Sequence, residues 1–262
     1  MATFLHKAGH WLAEQKDDED EAYEKMASKT QKAEVLNWYE IIPKRFLLNN
    51  HNPHYDVHHI KLPFRMLIIG SSGSAKTQTV LSLIKCMPNT WETITYITKN
   101  KDEPLLNWLD EKLGKKGLKL LEGIENLPSV DSFDKEQNNL IILDDLCLED
   151  AKKQKPVEDF YIRCRKKNCS IIYISQSYFK CPKTCRLNLN YLIVKQISSM
   201  RDLNMIMSEY SLGVPKDILK AIYKLATKRK IDFLMIDLEA DPAERFRKNF
   251  DEIFDISEEV DF

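Results

Sequence analysis

The sequence lacks any apolar run approaching the 18 residues of a membrane-crossing helix, so no helical membrane span is expected. Its opening residues, MATFLHKAGHWLAEQ, place no long apolar core ahead of a small-residue cleavage site, so no secretory leader is expected either. Six cysteines with no leader then read as free thiols of a reducing compartment. Internal repeats and low-complexity linkers are missing too. Net charge is nearly absent, at −1, but that balance hides a polarised chain. Residues 1–150 hold 18 basic against 24 acidic side chains, residues 151–230 hold 18 against 5, and residues 231–262 hold 3 against 11. A strongly basic segment between acidic flanks suits a polyanionic partner; the plainer alternative is a solvated basic face.

What is present describes a globular protein. Hydrophobic residues are 43% and charged residues 30% of a 262-residue chain, enough to bury a full core within one domain with short appendages. Residues 1–57 read as an N-terminal appendage, acidic and partly helical or disordered, because EQKDDEDEAYEKMASKTQKAE has little to bury. VLNWYEIIPKRFLL within it predicts a helix ending before Pro43 and docking on the core. Residues 58–262 then alternate strand and helix. FRMLII, TITYIT, NLIILDD, SIIYIS and YLIVKQ are short apolar strands. KTQTVLSLIKCM, PLLNWLDEKL and VEDFYIRCRKK are the helices between them. Two helices near 201–209 and 215–228 and a last strand, DFLMIDL, follow. Continuously apolar strands separated by helices predict an α/β fold, a mainly parallel sheet with helices on both faces.

The stretch LIIGSSGSAKTQT nearly spells a phosphate-binding loop, G-x-x-x-x-G-K-[ST], but Ala75 stands where the second glycine belongs. A triphosphate needs many donors within a few ångströms, and backbone N–H groups of a tight loop at a helix start supply them. Gly70, Ser71, Ser72, Gly73, Ser74, Ala75, Lys76 and Thr77 are the expected nucleotide-binding residues. Lys76 would reach the β- and γ-phosphates and the Thr77 hydroxyl would ligate Mg²⁺. Ala75 adds a methyl beside the phosphates; a helical backbone there would accept it at some loss of affinity. In NLIILDDL, Asp144 and Asp145 end a buried strand at the edge where parallel sheets bind ligands. Asp144 suits the Mg²⁺ shell and Asp145 the orientation or deprotonation of water, unless the pair only caps a helix. Gln176, directly after SIIYIS, would share that edge and sense a γ-phosphate or position water, or merely satisfy loop backbone.

LPFRMLIIGSSGSAKT, LIILDD and RCRKKNCSIIYISQSYFKCPKTCRLNLN resemble the genome-packaging ATPases of large DNA viruses and virophages, within the FtsK–HerA group of P-loop motors. The resemblance covers residues from about 58 to about 250 and its third block is the most specific. It implies a RecA-like fold, ATP and Mg²⁺ as cofactors, double-stranded DNA as track, a homo-oligomeric ring and a capsid or portal partner. It implies work in the host cytoplasm or a viral factory, with or without association to the virion, and no membrane partner. It also implies a sensor role for Gln176, a catalytic role for Asp145, and an arginine finger at Arg163 or Arg165. Asp145 departs from the longer glutamate of many relatives. An always-charged guanidinium neutralises charge building on the γ-phosphate. These arginines would lie away from their own subunit's nucleotide edge, which favours a neighbour's site; solvated helix-end arginines are the alternative.

Other constellations weigh less. Cys164, Cys169, Cys181 and Cys185 have zinc-like spacing, but a strand separates Cys169 from Cys181 by about 20 Å, against ligand distances of about 2.3 Å. All six histidines lie within residues 1–59 and read as a lead-in segment flanking the nucleotide pocket, with metal binding as the alternative. Lys216, Lys220, Lys224 and Lys228 recur every fourth residue opposite an apolar face of Ile218, Leu219, Ile222, Leu225 and Ala226, spanning about 18 Å. They form a candidate DNA track, or a plain solvated helix. Two other functions stay open: a nucleoside or nucleotide kinase, which gives no reason for the basic segment, and a non-catalytic P-loop binding or assembly module, which Ala75 makes credible.

Overall fold

The structure, a computed structural model, describes residues 35–48, 51–146 and 149–256, divided into two units, Met1–Asn49 and Asn50–Phe262. In the first unit the expected helix is one turn, α1 (Trp38–Ile41), with the Asn37 side chain accepting a hydrogen bond from the Tyr39 N–H at 3.3 Å. It ends at Ile41, with Ile42 as an extended C-cap ahead of Pro43, whose missing N–H cannot continue the helix. Most of the acidic stretch before it lies outside the described residues. The division falls earlier than the boundary expected after residue 57. Residues 51–58 are tied into the second unit: Asn138 Nδ2 donates to His51 O at 2.6 Å and Asn52 Nδ2 to Ile60 O at 3.0 Å. The short helix α2 (Tyr55–His58) buries His58, whose Nδ1 accepts from the Ile60 N–H.

One nine-stranded sheet organises the second unit, in the order β3-β2-β4-β5-β1-β6-β7-β8-β9. The strands β1 (Arg65–Ile69), β2 (Thr93–Thr98), β3 (Leu118–Glu122), β4 (Asn139–Asp144), β5 (Cys169–Ser175) and β6 (Tyr191–Val194) pair in parallel. Then β7 (Leu234–Asp237), β8 (Phe246–Lys248) and β9 (Glu252–Ile253) continue it antiparallel. Successive side chains of a strand point to opposite faces, and the core divides accordingly. Met66, Ile68, Ile172 and Ile174 pack with Val80 and Leu83 of α3 (Lys76–Cys86) and with Leu106 and Leu109 of α4 (Pro104–Gly117). Leu67, Ile69, Ile171 and Tyr173 pack on the other face with Phe160 and Tyr161 of α5 (Ala151–Arg163). The same face takes Leu203 and Ile206 of α7 (Met200–Glu209) and Leu219 of α8 (Lys216–Ala226); a short α6 (Lys183–Leu187) precedes β6. Each fully buried aliphatic side chain contributes roughly 1.5–3 kcal/mol, so both faces are well supplied.

Five elements differ from expectation. β3, β8 and β9 are strands that apolar runs do not announce: β3 is a half-buried edge and β8 is FRK. α5 starts earlier than VEDFYIR and ends at Arg163, and CRKK becomes a separate 3₁₀ turn. On α8 the buried stripe is Leu219, Ile222, Tyr223 and Ala226, while Leu225 is 60% exposed. At 100° per residue Leu225 lies about 120° round the helix from Leu219, so it belongs to the solvent face.

Charge enters the antiparallel end of the sheet. Arg247 of β8 and Asp237 of β7 are both 4% exposed and form an ion pair through Nη2 and Oδ2. Arg247 Nη1 donates to Phe250 O at 3.1 Å and Asp237 Oδ1 accepts from the Glu239 N–H at 3.0 Å. Removing one partner leaves the other charge buried and alone, so Asp237→Ala is expected to destabilise the fold by about 3–5 kcal/mol. Adding Arg247→Met should recover most of that loss. Urea unfolding of the single and double variants checks it; a single-variant loss below about 1 kcal/mol refutes the account.

Candidate functional site

Pairing brings the strand ends together. Ile69 of β1 lies beside Ser175 of β5 and Val194 of β6, and Asp144 of β4 beside Ile174 of β5. The chain therefore leaves the sheet at Gly70, Asp145 and Gln176 along one edge. The Gly70 N–H donates to Ser175 O at 3.2 Å and the Ser71 N–H to Gln196 O at 2.9 Å, which pins the loop across β5 and the end of β6. Gly70 has no room for a side chain: a Cβ there would sit 2.4 Å from Ser74 Oγ and 2.5 Å from Lys195 Cβ. Gly73 takes φ +71°. Lys76, at the start of α3, curls into the loop and donates from Nζ to Gly70 O at 2.9 Å and Ser71 O at 3.0 Å. Ser74 Oγ is buried and has no hydrogen-bond partner among the described residues.

Ala75 corrects one expectation. Its backbone is left-handed, φ 63° and ψ 36°, at the N-cap of α3. The position is one where glycine is free and an L side chain is strained, so the missing glycine costs conformational energy as well as space.

A cleft of about 550 Å³ opens at this edge, within the range of small-molecule sites. Gly73, Ser74, Ala75, Lys76 and Thr77 line it, facing Lys99, Asn100, Asp102 and Glu103 of the loop after β2. Asp144 and Asp145 are also in its lining, and Lys230 borders it as well. Of the expected loop residues Gly70 and Ser71 anchor the loop and Ser72 is exposed; none of the three lines the cleft.

The two aspartates have different surroundings. Asp144 is 8% exposed and its Oδ2 accepts from the Tyr96 hydroxyl at 2.6 Å. The Thr77 side chain is a second hydrogen-bonding neighbour of that hydroxyl, so Tyr96 gathers Thr77 and Asp144. Desolvation pushes the Asp144 carboxyl up to about 6, against the opposing Tyr96 hydrogen bond and with Asp145 and Glu103 adding to the rise. Asp145 is half-buried with φ 59°, and its Oδ2 accepts from Gln176 Nε2 at 2.6 Å. The structure thus joins the aspartate and the glutamine that sequence reasoning chose separately. Tyr96 was missed; TITYIT carries hydroxyls on Thr93, Thr95 and Thr98 as well, so nothing in the stretch singles it out.

Arg163 and Arg165 lie elsewhere. Arg163 closes α5 and Arg165 lies in the 3₁₀ turn that follows, just before β5 begins, so the strand's length, about 20 Å, separates them from Gln176. Arg163 is engaged by its own chain, with Nη2 2.6 Å from both Asp131 oxygens and Nη1 3.0 Å from Asp159. Arg165 is exposed and makes no ion pair among the described residues. Lys216, Lys224 and Lys228 are exposed and Lys220 is 3.9 Å from Asp217. Lys228 falls beyond the last residue of α8, so three of the four lysines share the helix. Cys164, Cys169, Cys181 and Cys185 are buried free thiols, with Cys169 opening β5 and Cys181 following its other end.

Residues 54–240 match the family described as Poxvirus A32 protein. The chain belongs to that family. It is 28% identical over 190 residues to the DNA packaging protein OPG160 of vaccinia virus (strain Copenhagen), covering 69% of this chain and 70% of that protein. The OPG160 of variola virus matches at the same identity and coverage. In fold, the sheet and its helices superpose on B204, the DNA-packaging ATPase of Sulfolobus turreted icosahedral virus. The TM-score is 0.53 at 13% identity, over 72% of this chain and 98% of that one. The family's match thus spans the loop, the aspartates, Gln176 and Lys230. The fold is that of a P-loop NTPase, a mostly parallel mixed sheet with helices, as the sequence led one to expect.

Two outcomes follow from the site. Ala75→Gly removes left-handed strain of about 1–2 kcal/mol, partly offset by the looser unfolded chain, about 0.4–1 kcal/mol. It should therefore stabilise the fold slightly, whereas β-branched Ala75→Val should destabilise it. Equal urea midpoints for all three proteins would contradict this. Asp144 supplies a pH test. Its folded pKa lies above the value in the unfolded chain, so ionisation opposes folding, increasingly so from about pH 4 to pH 6. Asp144→Asn should stabilise the protein without metal or nucleotide by about 3 kcal/mol at pH 8 and by less than 1 kcal/mol at pH 4. A gain independent of pH would reject burial of a charge as its cause.

Proposed function

We propose that this protein is an ATP-driven double-stranded DNA translocase that packages a viral genome, hydrolysing ATP with Mg²⁺ in a homo-oligomeric ring. The observation that carries it is the convergence of Lys76, Thr77, Asp144, Asp145 and Gln176 on one sheet edge, with Asp145 and Gln176 in contact at 2.6 Å. Membership of the A32 family and the names of its packaging relatives supply the direction.

The residues suit the nucleotide and the ion. Lys76 already sits among loop carbonyls, and phosphate oxygens would take their place around its ammonium. The unpartnered Ser74 Oγ and the loop N–H groups are donors for the same anion. Thr77 and Asp144, gathered by Tyr96, are the hard oxygen donors that Mg²⁺ prefers. The ion would supply charge neutralisation on the phosphates when bound. Asp145, held by Gln176 and more exposed than Asp144, would orient a water and hold its proton. Arg165 is the better finger, since Arg163 would first have to leave Asp131 and Asp159. Reaching a cleft from the opposite edge of the sheet requires a neighbouring subunit. Lys216, Lys220 and Lys224 would meet DNA phosphates, with Lys228 just past the helix.

The test is phosphate release with and without double-stranded DNA, together with ATP affinity, on wild type and two variants. Wild type should be stimulated by DNA. Lys76→Ala should lose binding and turnover, and Asp145→Asn should keep its affinity while turnover falls at least 100-fold. Phosphate transferred to a small acceptor would make it a kinase, and binding without turnover an assembly module. Equal loss of affinity in Asp145→Asn and Lys76→Ala would end the assignment of Asp145 to the chemical step.

A further inference from the structure

The segment leaving β6, Lys195 to Ser198, lies between the phosphate loop and the end of α8. On one side Gln196 O accepts from the Ser71 N–H, and Ser71 Oγ accepts from the Ser198 N–H at 2.8 Å. On the other, Gln196 Nε2 donates to Thr227 O at 2.9 Å and the Ile197 N–H to the Tyr223 hydroxyl at 2.9 Å. Lys195 is the centre of this strap. It is fully buried, its Cβ packs where a Gly70 side chain would go, and its Nζ donates to Ile231 O at 2.7 Å. The ammonium also lies 5.5 Å from the centre of the Phe233 ring. Burial pulls it down to about 8, with Lys76 adding to the drop and Asp232 opposing it.

Ile231 is the residue after Lys230, which borders the cleft. Lys195 therefore fixes the backbone that carries Lys230 to the site. Of the run Lys228, Arg229 and Lys230, Arg229 pairs with Asp232 at 2.7 Å, and Lys230 makes no ion pair among the described residues. The cleft's rim lysine on the other side, Lys99, is paired with Glu149 at 2.9 Å. Asp102 and Glu103 make that far wall acidic.

Sheet order gives the direction of a bound nucleotide. The phosphate loop follows β1, whose neighbours are β5 and β6. Asp144 and Asp145 lie beyond β5, and Lys230 lies beyond β6, ahead of β7. A nucleotide whose terminal phosphate meets the two aspartates has its nucleoside end on the β6–β7 side. We propose that Lys230 is a nucleotide-binding residue contacting the α-phosphate or ribose end of a nucleoside 5′-polyphosphate, and that Lys195 positions it through Ile231. The proposal rests on the nucleotide site above and adds a residue and a polarity to it.

Affinities for ADP and ATP, with steady-state turnover, test it on the full chain. Lys230→Ala should weaken ADP and ATP by the same factor, about tenfold for one lost charge-assisted contact. KM should rise while kcat stays within about twofold, and Lys230→Arg should restore affinity. Lys195→Met keeps the packing beneath Gly70 but lacks the ammonium, and should weaken ADP by a similar factor. The double variant should be no weaker than either single one, the non-additivity of residues acting as a unit. Unchanged ADP affinity in Lys230→Ala overturns the proposal, as does weakening confined to ATP, which would move the contact to the γ-phosphate. Fully additive losses overturn the role of Lys195. Wild type that binds neither nucleotide would instead overturn the nucleotide site itself, a result visible before any variant is made.

Discussion

Asp144 pairs with Ile174 and Ile69 with Ser175, so β4, β5 and β1 end on neighbouring rows of the sheet. A slip of one residue would turn each following side chain to the opposite face, taking Asp144 out of the cleft and into the α5 layer. Apolar residues line both faces of these strands and do little to prevent such a slip. Polar contacts at the other edge of the sheet do so instead. Asn168 Nδ2 donates to Asn138 Oδ1 at 2.8 Å, and Asn168 O accepts from the Asn139 N–H at 3.1 Å. Asn138 Nδ2 also reaches Thr90 O and His51 O. Across the middle, the Tyr161 hydroxyl donates to Met66 O at 2.8 Å. Misaligned strands would leave these buried groups unpaired, each at a cost of about 1–3 kcal/mol.

The sequence was legible where a run of apolar residues coincided with a strand buried on both faces. β1, β2, β4, β5 and β6 are of this kind, and so the α/β architecture and the shared edge of Gly70, Asp145 and Gln176 could be read. It was less legible where burial is partial or charge is buried. β3 offers LKLLE at an edge, half of it wet. β8 hides a buried Arg247 whose partner, Asp237, belongs to another strand; no local pattern reveals such a pair. Leu225 shows the converse, an apolar residue assigned to a face it does not occupy.

The site was read unevenly for a related reason. Motif spacing identifies residues that follow one another along a loop, and so Lys76 and Thr77 became candidates, while the aspartates became candidates as the end of an apolar strand. Tyr96 lies on β2 and Lys195 just past the end of β6, and Lys230 lies beyond β6, ahead of β7. They are far from the motif in sequence and carry no spacing of their own. The left-handed backbone of Ala75 was equally hidden, since residue type alone suggested a helical start.

Backbone strain and desolvation occur together at the edge of the sheet that carries the loop. Ala75 and Asp145 both hold positive φ, a cost of about 1–3 kcal/mol each. On the two sides of the phosphate loop, burial pushes Asp144 up to about 6 and Lys195 down to about 8. Both shifts oppose the charged form, so each group is held where water would serve it better. A cation beside Asp144 or an anion near Lys195 lowers that penalty by Coulomb attraction in a poorly solvated place. A ligand bearing both charges relieves both sides at once. The fold can maintain such an edge because the asparagine contacts and the two apolar layers secure the strands elsewhere. Destabilisation at this edge then becomes preference for a bound state over an empty one.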